Sequence, residues 1–197
     1  MISPLIFVFV LIFMSTPSAI LSSEKHLSKY AGQETRSIKS LSEEDISDLL
    51  NGRGWGLAKA AELNGVPGPL HLLEMKTEIK LTTTQIAQIE EIYKDMKTRA
   101  VLLGTRLVEQ ERGLDQYFLK GNFSNENLKK RLTTIGKTRT DLRFVHLSSH
   151  FETVKIVTPQ QLEEYNALRG YFDADDPCQN IPAGHNAEMW KKHNNCE

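Results

Sequence analysis

The most regular pattern in the chain lies between residues 82 and 120, where apolar side chains recur at alternating steps of three and four positions. This is the heptad spacing of helices that bury one face against a partner helix. Gly121 follows, and glycine is the residue that most often ends a helix. We therefore predict one long helix from Thr82 to about Lys120, whose buried face is formed by Ile86, Ile89, Tyr93, Met96, Ala100, Leu103, Leu107, Gln110, Leu114 and Tyr117.

A second long helix is predicted at about 125–156, with Ser124 as its N-cap, so that the two form an antiparallel hairpin. This helix has two apolar stripes, whereas the seam of a hairpin buries only one. The second stripe is therefore expected to need another partner: a second subunit, the short N-terminal helices or a client protein. The first stripe consists of Leu128, Leu132, Ile135, Leu142 and Val145, and the second of Phe144, Leu147, Phe151 and Val154.

Two copies of one short pattern open two of the predicted helices. The first copy is LTTTQ at 81–85, and the second is VTPQQ at 157–161. In each copy the threonine hydroxyl can accept from the backbone N–H three residues later, and the glutamine side chain can reach back to the N–H of the threonine. Both copies therefore predict a capped helix start, made by Leu81, Thr82 and Gln85 in the first and by Val157, Thr158 and Gln161 in the second.

Shorter helices are predicted on either side of the two long ones. Helical segments near 42–50, 57–63 and 69–79 are separated by NGRGWG and NGVPGP, which are rich in helix breakers. We interpret NGRGWG as a flexible joint, because a phosphate-binding loop would need a preceding strand and a following Lys-Ser/Thr pair. A last helix is predicted at 159–172.

The N-terminus has the character of an export signal. LIFVFVLIFM at 5–14 is too short to span a bilayer, which takes roughly 20 apolar residues, but it fits the apolar region of a signal peptide. STPSA follows and offers cleavage after Ala19 or Ser22, whereas MISP carries no basic residue, so an uncleaved membrane anchor is the alternative. We expect a signal peptide at 1–22, a flexible polar leader at 23–40 and a periplasmic location.

Composition narrows the classes of partner. The net charge is -1 and the pI is about 6.6, so the chain has no general attraction to nucleic acid or to anionic membranes. Aromatic residues make up 8% of the 197 residues, which is low for a β-sandwich and ordinary for helices. One domain of ordinary size is expected.

The tail, 173–197, contains both cysteines of the chain, Cys178 and Cys196. An even number of cysteines in an exported chain predicts a disulfide between them. Together with His185 and His193 the same cysteines form an alternative zinc-ligand set, although their spacing matches none of the usual structural zinc patterns.

Candidates for catalysis and for other metal sites are few. His146 and His150 lie one helical turn apart and could hold a metal with Glu152 or with a second subunit, but a structural histidine pair is the more common arrangement. No nucleophile, base and orienting group are placed as acyl-transfer chemistry requires, and no carboxylate pair has an active-site context. We predict that the chain is not an enzyme and needs no cofactor, with zinc as the alternative.

The two pentapeptides resemble the paired LTxxQ motifs of the Spy/CpxP family of periplasmic proteins. GLAKAAELNGVPGPLHLLEMKTEIKLTTTQ is similar to the N-terminal part of its members, and the resemblance covers roughly residues 50–172. It implies an all-α domain at 41–172, in which a long antiparallel hairpin is flanked by short helices and pairs into a cradle-like homodimer. Some relatives bind zinc or belong to heavy-metal-resistance systems. The long leader and the cysteine-containing tail depart from the family pattern.

The resemblance further implies an ATP-independent periplasmic chaperone or an envelope-stress modulator that binds unfolded proteins. The alternatives are a metal-binding or heavy-metal-resistance protein and a regulator that binds the periplasmic domain of a sensor kinase. The second long helix is the expected client surface, because it combines basic and apolar side chains on a nearly neutral protein. Its candidate contacts are Arg131, Lys137, Arg139, Arg143, Phe144, Leu147 and Phe151.

Overall fold

The computed structural model describes residues 26–171, 186–194 and 196. Within these residues the fold is all-α, as predicted, and no strand is present. A 3-10 turn at Gln33–Thr35 is followed by α1 (Glu43–Leu50), α2 (Lys59–Glu62), α3 (Pro69–Glu74), α4 (Thr83–Leu119), α5 (Asn125–Val154), α6 (Pro159–Leu168) and α7 (Ala187–His193). The chain divides into two units, Met1–Glu34 and Thr35–Glu197, and all seven α-helices belong to the second.

The two longest helices, α4 and α5, pack against each other as the predicted hairpin. The predicted face of α4 is confirmed, because each of its ten positions is buried or half-buried. The stripe of α5 is confirmed at Ile135, Leu142 and Val145, which are buried, whereas Leu132 near the hairpin tip remains 48% exposed. The helix also ends at Val154, two residues before the predicted end.

α4 has a second buried line, which the heptad analysis did not include. Gly104, Val108 and Glu111 lie on it, and α1 crosses the helix at this point. A Cβ on Gly104 would lie only 2.1 Å from the carbonyl oxygen of Leu49, so the two backbones are in direct contact. α1 begins with a capping box, in which Ser42 is the N-cap and Asp45 is the acidic member.

The end of the predicted leader takes part in the core. Ile38 is fully buried with Leu41, and both pack in the same cluster as Leu49, Met96 and Leu107 of α1 and α4. The flexible leader expected at 23–40 is therefore corrected at its C-terminal end, where Ile38 is anchored in the core, and Leu41, the first residue after the leader, packs in the same cluster. The polar residues around them concealed this short apolar pair.

A second core cluster lies where the two pentapeptides meet the short helices. Leu72, Ile79, Leu81, Ile89 and Tyr165 are its buried members. Burial raises the pKa of the Tyr165 hydroxyl, which donates a hydrogen bond to Glu62 of α2. This bond connects α6 to α2, two helices more than a hundred residues apart in sequence.

Several predictions lie outside the described residues. The signal peptide at 1–22 is one of them, as is most of the tail, including Cys178 and His185. The pairing of Cys178 with Cys196 therefore stays a prediction. Among the described residues, no helix combines the length and the apolar character that a membrane span requires.

Candidate functional site

The two pentapeptides, which are far apart in the chain, lie side by side in the fold. The Gln85 side-chain nitrogen donates to the Gln161 oxygen at 2.8 Å, and the Gln161 nitrogen donates to the Gln85 oxygen at 3.0 Å. The two side chains therefore form a reciprocal amide pair. Each side-chain nitrogen also donates to a backbone carbonyl next to the other pentapeptide. Gln85 donates to the carbonyl of Ile156, and Gln161 donates to that of Lys80.

Each glutamine also completes the cap of its own helix, as predicted. The backbone N–H of Thr82 donates to the Gln85 oxygen at 2.9 Å, and that of Thr158 donates to the Gln161 oxygen at 3.0 Å. Leu81 is buried and Val157 is half-buried in the second core cluster. Both side-chain amides are therefore fully hydrogen-bonded within the fold, and the paired motifs join the starts of α4 and α6. We interpret them as structural rather than as a ligand site.

The face of α5 that points away from α4 has the composition expected of a binding surface. Phe144 is 63% exposed and Phe151 is 59% exposed, although large aromatic side chains are normally buried. They are two helical turns apart, which is about 10 Å along the axis. Leu147 lies half-buried between them. The second apolar stripe is thus present on the surface, and no described helix covers its two phenylalanines.

Basic side chains flank this stripe. Lys137 is exposed and forms only an i,i+4 salt bridge with Asp141 at 3.2 Å, and Arg143 is exposed one residue before Phe144. An exposed pair of this kind contributes little to stability, so Lys137 can exchange it for another anion at small cost. We call the surface formed by Lys137, Arg143, Phe144, Leu147 and Phe151 the outer face of α5.

Two of the predicted client contacts also lie against aromatic rings of the fold. The guanidinium of Arg139 lies 4.9 Å from the centre of the Trp55 ring, and that of Arg131 lies 5.0 Å from the centre of the Tyr117 ring. Arg131 also donates to the carbonyl of Gly113 at 3.3 Å. Cation–π contacts of this kind help to hold side chains in place. Both arginines remain exposed, so their contact with clients stays a prediction.

The described part of the chain contains no group of three or more His, Cys, Asp or Glu side chains in metal-binding proximity. His146 and His150 are buried, and the Nδ1 atom of His150 lies 2.7 Å from the carbonyl oxygen of Val66, while Glu152 is exposed. Of the alternative zinc set, His193 lies in α7 and Cys196 follows it, whereas Cys178 and His185 lie outside the described residues.

Sequence reasoning missed the space beneath the NGRGWG segment. This loop was interpreted as a joint, but Trp55 within it is fixed: its indole nitrogen donates to Asp45 at 2.7 Å, and its ring receives Arg139. Trp55 also has a φ of 44°, which is uncommon for a residue with a bulky side chain. The sequence did offer one signal of this role. A flexible joint has no need of a bulky aromatic side chain, yet Trp55 stands between two glycines.

Comparisons with protein-family models, with curated proteins and with solved structures found nothing that matches this chain.

Proposed function

We propose that this protein is an exported, ATP-independent chaperone that holds unfolded proteins on the outer face of α5. The observation that carries the proposal is the pair of exposed phenylalanines, Phe144 and Phe151, flanked by Lys137 and Arg143 on a rigid helix. The resemblance to periplasmic LTxxQ proteins, drawn from the sequence, supports the same function and an envelope-stress role.

The chemistry of this surface suits capture and release without nucleotide. Exposed charges attract oppositely charged segments and accelerate encounter. Separated apolar side chains then hold many sequences weakly, since each isolated contact excludes only a small area from water. Because neither contribution is specific to one sequence, the surface can bind unfolded chains of different composition and release them as they fold.

The test measures aggregation of a chemically denatured acidic protein, diluted into buffer with and without this protein, in the absence of nucleotide. We expect wild type to slow aggregation and added salt to weaken the effect, because exposed charges are screened over about 10 Å at 0.1 M salt. Reversal of Lys137 and Arg143 to Glu should slow capture. Replacement of Phe144 and Phe151 by Ser should shorten the time for which the client is held.

Matched controls use other exposed residues. Reversal of Lys76 and Lys94 to Glu makes the same change of charge away from α5, and Leu102→Ser removes an equally exposed apolar side chain from α4. These variants should protect the client as well as wild type does. Equal protection by all variants would assign client binding to another surface, and no protection by wild type would favour the regulator of a sensor kinase.

A further inference from the structure

A cavity lies between the NGRGWG loop, the start of α3 and the middle of the hairpin. Its volume is about 560 Å³, which lies within the range of roughly 300–1,000 Å³ that small-molecule pockets occupy. It is separate from the outer face of α5, because its floor is formed by the opposite, buried side of that helix. The paired pentapeptides do not line it.

Part of the cavity wall is aromatic and apolar, and its tryptophan is held in place. Trp55, Tyr93 and Met96 line it together with Pro69. The Trp55 ring is fixed by its hydrogen bond to Asp45 and by the guanidinium above it. A flat aromatic ligand can therefore stack on a surface that needs no rearrangement, which reduces the entropic cost of binding.

His146, which lines the floor of the cavity, has a ring nitrogen without a partner. The His146 side chain is 4% exposed, and its Nε2 atom is buried without a hydrogen bond. His150 beside it is already positioned, since its Nδ1 atom is 2.7 Å from the Val66 carbonyl and its ring packs against Gly68. Buried polar atoms are almost always hydrogen-bonded in native proteins, so the unpaired nitrogen of His146 needs a partner that the described chain does not supply.

The mouth of the cavity is cationic. Lys59 and Lys97 line it, both are exposed, and neither forms a salt bridge within the described residues. The Lys97 ammonium lies 5.7 Å from the centre of the Tyr93 ring and has no carboxylate partner there. The third cation, Arg53, is neutralised by Asp48 at 2.5 Å. The carboxylate of Glu62, which also lines the cavity, is paired with Arg169 at 3.0 Å. The unpaired charge at the opening is therefore positive.

We propose that this cavity binds a small aromatic carboxylate that carries a polar ring substituent. The aromatic body stacks between Trp55, Tyr93 and Met96, and the carboxylate lies near Lys59 and Lys97. The Nε2 atom of His146 is buried in the unliganded fold, so a small rotation of the imidazole accompanies its hydrogen bond with the ring substituent. The cavity volume accommodates a bicyclic ring. This inference is independent of client binding, because it uses the other side of α5.

The test is calorimetric titration of the full mature chain with 6-hydroxy-2-naphthoate. Two analogues accompany it: 2-naphthoate, which lacks the hydroxyl, and 6-hydroxy-2-naphthamide, which lacks the charge. We expect saturable binding at one site, and a loss of about tenfold in affinity for each analogue, which corresponds to about 1.4 kcal/mol. Equal affinity for all three compounds, or no binding at millimolar ligand, would overturn the proposal.

Variants assign the binding to this cavity. Lys97→Glu should weaken the naphthoates at least tenfold, whereas Lys94→Glu, one turn earlier on the exposed surface of α4, should leave their affinity unchanged. His146→Leu should abolish the preference for the hydroxylated compound without abolishing binding of 2-naphthoate, an outcome that a purely structural role of His146 would not produce. Equal effects of the Lys94 and Lys97 variants would contradict the site. Should the His146 variant fail to fold, the ligand analogues on wild type decide the same contact.

Discussion

Among the single residues, His146 is a titratable group buried in the core. Burial, reinforced by the neighbouring His150, lowers the pKa of His146 from its ordinary value of 6.5 to about 4. The folded protein therefore binds fewer protons than the unfolded chain between these two values. It follows that this residue leaves stability unaffected above about pH 6.5 and reduces it as the pH falls toward 4.

The expected result is a loss of up to about 3 kcal/mol of unfolding free energy from this one residue across the window, since each pKa unit corresponds to about 1.36 kcal/mol. Urea denaturation at several pH values between 7 and 4.5 measures it. His146→Gln should flatten the pH dependence in this range, whereas His26→Gln, at an exposed position, should not. Identical slopes in wild type and the His146 variant would show that the buried imidazole is not the source.

Sequence could predict which residues are basic or aromatic on α5, but not all of their roles. The sequence places Phe144 and Phe151 on a second apolar stripe, which the hairpin seam does not bury. Both side chains are exposed in the structure. Arg139 could not be separated from Lys137 on the sequence alone. The contact of Arg139 with the Trp55 ring joins two residues that are more than eighty positions apart in sequence. It forms because α1 and the glycine-rich loop that follows it pack across the hairpin.

At the level of helices, local signals gave the starts and the main buried face correctly, because capping boxes and heptads are encoded within a few residues of one another. The crossing of α1 over α4 is a contact between distant segments, and its signal in the sequence is Gly104, one of two glycines inside this long helix. A helix-interior glycine has a cost in helix propensity, so its presence at Gly104 is explained by the close approach of Leu49.

We expect Gly104→Ala to destabilise the protein by about 1–3 kcal/mol, as overpacking usually does, because the added methyl group would displace α1. Gly136 provides the matched control. A Cβ there meets nothing within 4 Å, so Gly136→Ala should stabilise the protein by about 0.5–1 kcal/mol through helix propensity alone. Denaturant titration of both variants measures the difference. A neutral or stabilising Gly104→Ala would mean that the two helices are not in contact.

The amide pair of Gln85 and Gln161 should behave as one energetic unit. A double-mutant cycle with Gln85→Ala and Gln161→Ala is expected to give a coupling energy of about 1 kcal/mol, since each substitution already removes the shared hydrogen bonds. A second cycle pairs Gln161→Ala with Gln116→Ala, an exposed position about 45 Å farther along α4. That cycle should be additive within about 0.5 kcal/mol. Additivity in both cycles would contradict the pair.

At the level of the whole molecule, the exposed stripe of α5 could be covered by a second subunit, as the predicted homodimer requires. We expect light scattering at micromolar concentration to give twice the mass of the mature chain. The replacement of Phe144 and Phe151 by Ser distinguishes the two uses of the stripe. If the variant remains a dimer and loses client protection, the stripe is the client surface. If it becomes a monomer, the second subunit occupies the stripe, and if wild type is a monomer, the dimer prediction is wrong.

The reciprocal amide pair has a consequence for how the chain can change over evolutionary time. Each glutamine caps its own helix and also hydrogen-bonds to the other glutamine. Loss of either glutamine would therefore remove one helix cap and the amide pair together. We therefore expect the two positions to be kept together or replaced together. Descendants of this protein should keep glutamine at both sites or change both, although seventy-five positions separate them in the chain.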